Sequence, residues 1–150
     1  MQRKSFFHLT MAGILFVTIT GLSCGNKEKV GRNTPYFSWT LDGVTYVADE
    51  ATAYTNDIEA TKTVGSVLKH VEVAVHSAND FPLGTYTIGP AMNVIGIWEG
   101  TNSGAGYFSM SGTLHITASS PDEISGDFSV VLSTGTGTVM TGTFTNVPLE

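Results

Sequence analysis

Beyond residue 35 the chain alternates apolar and polar side chains with period two, the spacing of a strand with one buried face. Phe37, Trp39 and Leu41 share one side of residues 36–41, and Val44, Tyr46 and Ala48 alternate again after Asp42-Gly43. Two alternating runs joined by Asp-Gly predict a hairpin with a type I′ turn, because that turn needs positive φ at both central residues. A short strand over 51–55 follows, and the polar stretch 56–63 reads as a loop. Residues 67–76 form the cleanest run. Val67, Val71, Val73 and Val75 lie on one face, and Leu68, His70, Glu72, Ala74 and His76 on the other.

Residues 77–83 read as a loop, 84–88 as a strand, Gly89-Pro90 as a turn and 92–98 as a strand. The segment 99–106 has the composition of a flexible loop. Strands over 107–117, 124–132 and 138–147 complete the domain, separated by turns at 119–123 and 134–137, with Phe144 as a core anchor. No helical period occurs in this region. Eight or nine short strands spaced by about 10 residues predict an all-β domain, an antiparallel sandwich or barrel.

The first 23 residues have a different pattern. Arg3 and Lys4 precede an apolar stretch broken by His8, Thr10 and Thr18, which is shorter than the roughly 20 residues a spanning helix needs. Its length and charge order are those of a secretory signal. It runs into Gly21-Leu22-Ser23-Cys24, and Cys24 is the only cysteine of the chain. This junction resembles the lipobox of bacterial lipoproteins, with Gly21 where an aliphatic residue is usual, a looseness found in Bacteroidota lipoboxes. The resemblance implies removal of 1–23 and a diacylglyceryl group on the Cys24 sulfur. Residues 24–35 are polar, with glycines and a proline, and read as a flexible tether to a domain over 36–150.

Composition narrows the function classes. The 150 residues are 41% hydrophobic and 13% charged, with a net charge of −6. All thirteen acidic residues but only five of the seven basic ones follow Cys24, which leaves the mature chain at −8. Nucleic acid is excluded as a partner, since phosphate backbones need clustered Lys and Arg. Anionic lipid would repel the domain, so acyl chains on Cys24 have to hold it to a membrane. A lone cysteine leaves no intramolecular disulfide and no cysteine-based zinc site, and no motif calls for a cofactor.

Three further segments, FSWTLDGVTYVAD, EISGDFSVVLSTGTG and GTFTNVPL, resemble an uncharacterised family of small Bacteroidota envelope lipoproteins, in matching order over most of 36–149. The resemblance implies a β-rich domain anchored at the outer membrane, periplasmic or surface-facing. It brings no catalytic residues.

Candidate chemistry is sparse. His70, Glu72 and His76 share a strand face, but His70 and His76 are about 20 Å apart along it, beyond the reach of one metal. That face, like His115, reads as solvated surface. Gly-x-Ser-x-Gly is absent, and Gly104-Ala105-Gly106 lacks the lysine of a phosphate loop. Asp49, Glu50, Asp80 and Glu99 sit at loop edges without the Asp-x-Asp spacing of a calcium loop. Among Trp39, Trp98, Tyr54, Tyr86 and Tyr107, Trp39 reads as core and Trp98 as a stacking platform beside the glycine-rich loop.

If the strands run up and down, the connections at 49–50, 77–83, 99–106 and 134–137 emerge at one end. Trp98, Asn102 and Asp80 then form a common ligand-binding surface. The expectation is a lipid-anchored envelope protein with a non-catalytic binding or structural role toward a glycan or protein. The alternative is a small glycan-processing or other hydrolase.

Overall fold

The computed structural model describes residues 34–76, 80–91, 93–100 and 106–150. Cys24 and the signal and tether readings up to residue 33 lie outside the described residues. The described domain is all-β, with no helix, and its ten strands pair antiparallel. They are β1 Tyr36–Leu41, β2 Val44–Val47, β3 Glu50–Ala53, β4 Asp57–Val64, β5 Val67–Val75, β6 Gly84–Ile88, β7 Asn93–Glu99, β8 Gly106–Ser119, β9 Glu123–Leu132 and β10 Val139–Pro148.

Ten strands replace the expected eight or nine, and the largest difference is β4. Its inward residues Ile58 and Ala60 are buried, but Asp57, Glu59 and Thr61 between them make the segment read as a polar loop. The true connection is Gly65-Ser66, between Val64 and Val67, with positive φ at Gly65 as a type II′ turn requires. The Asp42-Gly43 hairpin forms as expected. Leu41 faces Val44, and φ is 51° at Asp42 and 76° at Gly43.

Two pairs of strands are single passes bent in the middle. The stretch from β2 to β3 pairs first with β1 and then with β4. Across the bend Ala48 N–H still donates to Phe37 and Asp49 N–H already donates to Thr61. The stretch from β6 to β7 is bent in the same way. Both strands lie antiparallel to β8, so they run in one direction, and only β7 also pairs with β5. Gly89-Pro90, expected to reverse the chain, only deflects it. Strands that switch partners at such bends make the corners where one sheet folds over into another. The ten strands therefore make eight passes in chain order, each beside the next. β10 pairs with β1, and Ala53 bridges to Leu149.

The interior is filled by side chains. Phe37 stacks on Phe144 at 5.8 Å, tilts against Phe128 at 6.2 Å and meets Trp39 edge-on at 6.2 Å. Phe128 faces Gly142 and Phe144 faces Gly126 across the β9–β10 ladder. Each ring fills the space a side chain on the opposing glycine would take. Trp39 stacks on Tyr46, and the Lys69 ammonium lies 5.1 Å from the Tyr46 ring while pairing with Glu99. Phe81 is a core residue missed in the sequence. It is fully buried with φ of 45°, inside a segment read only as loop.

Candidate functional site

The outer wall of β4, β5, β7 and the start of β8 presents a row of directly opposed residues: Glu59, Glu72, Gly96 and Phe108. Beside it runs a second row, Thr61, His70, Trp98 and Gly106. Strands are about 4.8 Å apart, so Glu72 and Phe108 stand about 10 Å apart with Gly96 as the floor between them. The result is a groove of about 500 Å³. Glu72 and Ala74 form one wall and Phe108 and Met110 the other, with Trp98 and Val94 on the floor strand and Pro90 at one end.

The groove exists because the ladder parts at this corner. β8 pairs with β7 only as far as Phe108 and takes β6 as its neighbour from Gly112 on. Where they separate, Ile95 N–H donates to the Ser109 hydroxyl, at 2.9 Å, in place of a backbone carbonyl. A register shift between Ser109 and Ser111 marks a bulge at Met110. Phe108 and Met110, each 53% exposed, are left on the surface.

Trp98 is half-buried. Its ring edge fills the space above Gly96, where a side-chain Cβ would come within 2.4 Å of Cζ3. His70 packs against it at 4.7 Å between ring centroids, and Phe108 at 6.2 Å. Trp98 Nε1 is buried without a hydrogen-bond partner among the described residues. This corrects the solvated reading at His70, which is 4% exposed and covered by Trp98, while His76 is exposed as expected and lines the groove with the half-buried Glu72. Periodicity cannot show this, because the cover comes from a neighbouring strand.

Glu72 carries the clearest electrostatic signature. Burial pushes its carboxyl above the ordinary glutamate range. Asp57 and Glu59 push the same way, against weaker opposition from His70 and His76. Asp57 Oδ1 is itself buried without a partner among the described residues. Only two lysines and no arginine lie among those residues, and both lysines are engaged elsewhere, Lys62 with Asp49 and Lys69 with Glu99.

The other sequence candidates are dispersed. Asp49 is held by Lys62 and the Thr63 N–H, which keep its carboxyl below the usual range. Asp80, at φ of 60°, donates its N–H to Thr55 and accepts from the Ser119 hydroxyl. Glu99 and Gly100 lie at the other end, where Gly100 N–H donates to Leu68. The length of β5, about 26 Å, separates the two ends, so Asp80 shares no surface with Glu99 and Gly100. The four connections do not all emerge at one end, because 57–64 is a strand and the breaks at Asp49 and Gly89-Pro90 do not reverse the chain. Asn102 lies outside the described residues. Trp39 is buried, as expected. The Tyr86 hydroxyl donates to Pro82, and burial pushes its phenol upward. Tyr54 and Tyr107 are exposed but do not line the groove. His115 pairs with Asp127 at 3.1 Å on a half-exposed surface. Among the described residues no group of His, Cys, Asp and Glu is arranged to hold a metal, and no helix is long and apolar enough to cross a membrane.

No family model, curated protein or solved structure matches this chain.

Proposed function

We propose that the chain is a lipid-anchored envelope protein that binds a small ligand in the Trp98 groove and catalyses no reaction. The carrying observation is the groove, in which an aromatic ring laid over a glycine floor stands beside a carboxyl. A concave, mostly apolar site with few polar groups is the usual form of a small-molecule site. The anchoring half of the reading rests on sequence: Arg3 and Lys4, the apolar stretch and the single Cys24.

Binding is favoured over hydrolysis by the placement of the acidic pair. Glu72 lines the groove, while Glu59 opens onto a separate shallow depression with Glu50, Thr52 and Tyr54. A paired-carboxylate hydrolase needs both groups on one substrate.

Two measurements test the reading. Replacing Cys24 with Ala should move the protein from the membrane to the soluble fraction and abolish incorporation of labelled fatty acid. Screening envelope oligosaccharides and peptides against the chain should give ligands that shift the Trp98 indole resonance and leave the Trp39 resonance in place. Membrane retention of the Cys24→Ala protein overturns the anchor, and ligands that move neither indole signal overturn the groove.

A further inference from the structure

Resting on that groove as the ligand site, we propose that the ligand is a small organic cation, an alkylammonium whose charge sits at Glu72 and whose hydrocarbon stem lies against Trp98 and Phe108.

Charge complementarity selects this occupant. Asp57, Glu59 and Glu72 crowd two adjacent strands, and Glu59 and Glu72 are directly opposed. Like charges in that position repel, and no lysine or arginine among the described residues is placed to offset them. The histidines of the same wall, His70 and His76, only partly counter the repulsion. A carboxyl that has lost water beside two like charges gains more from an incoming cation than a fully hydrated one. An ammonium supplies the missing counter-charge at one groove wall.

The apolar remainder selects the rest of the ligand. Trp98 and Phe108 lie 6.2 Å apart with planes inclined at 45°, a concave aromatic pair open on the groove side. Cations are attracted to aromatic faces within about 6 Å, most strongly to tryptophan. An inorganic ion would leave Phe108, Met110 and Val94 without a partner. A neutral sugar would leave the carboxylate repulsion in place.

The experiment is a titration of the whole chain with n-butylammonium chloride and, separately, with 1-butanol, its neutral counterpart. The readout is the indole N–H resonances of the two tryptophans at low salt. The expected result is a saturable shift of Trp98 by butylammonium at concentrations at least about tenfold below those butanol needs. Glu72→Gln should weaken butylammonium by a similar factor and leave butanol unchanged, with an unmoved Trp39 signal showing an intact fold. If butanol binds as well as butylammonium, or Glu72→Gln leaves the amine's affinity intact, the cation proposal falls and the groove stands as an apolar site. If neither compound moves the Trp98 signal, the cation proposal and the groove reading fall together.

Discussion

Glu59 on β4 and Glu72 on β5 face each other directly across the outer wall, one on each side of a ladder whose opposite face is the core. Folding strips water from Glu72 and brings Asp57 and Glu59 beside it, and all three effects raise its pKa. A carboxyl raised by folding is no burden when it is protonated in both states. It costs stability as pH rises from the unfolded pKa, about 4.3, through the raised folded one. Glu72→Gln is therefore expected to stabilise the domain at neutral pH, with the gain fading as the pH falls through the raised pKa and gone below about 4. Urea midpoints of both proteins across this range check it, and a pH-independent difference would show that folding does not raise the Glu72 carboxyl.

The Trp98 ring needs Gly96 beneath it. A methyl group there would come within 2.4 Å of Trp98 Cζ3 and 3.2 Å of Phe108 Cδ1. Gly96→Ala is expected to push the indole outward and cost about 1–3 kcal/mol, the usual range for overpacking. A red shift in tryptophan emission together with a lower urea midpoint is the expected result.

Phe81 separates a structured connection from a loose one. Its ring is fully buried although its backbone has positive φ. Phe81→Ala should cost about 3–5 kcal/mol, as for other buried phenylalanines, whereas a surface loop position would change stability by no more than about 0.5 kcal/mol. Equilibrium urea unfolding distinguishes the two.

Gly43 isolates a purely conformational cost. A side chain there would meet nothing within 4 Å, but φ is +76°. Gly43→Val should destabilise the domain by about 1 kcal/mol or more, because a β-branched residue resists that region. An unchanged urea midpoint would mean that the turn rearranges at no cost.

Local chemistry made much of the architecture legible. Alternation located β1, β2, β5 and β9 within a residue or two, and Asp42-Gly43 specified its turn because few dipeptides accept positive φ at both positions. Trp39 read as core from Phe37 beside it, and both are buried. β4 was missed because alanine and isoleucine alternating with Asp, Glu and Thr give a weak apolar signal. The Gly-x-Phe spacing of Gly126–Phe128 and Gly142–Phe144 carried a further signal, since each ring covers the glycine across the ladder.

The sequence alone determined the all-β class, the sharpest hairpin and the acidic charge, because these depend on composition and on residues adjacent in the chain. Tertiary structure decided which breaks reverse the chain and which only bend it. Gly89-Pro90 interrupts a strand in either case, and β8, antiparallel to the strand on each side, keeps the direction unchanged. It also decided the site. Glu72, Gly96, Trp98 and Phe108 come from three strands, and the groove forms only where β8 parts from β7, a separation set by hydrogen bonding across the sheet and invisible to any local pattern.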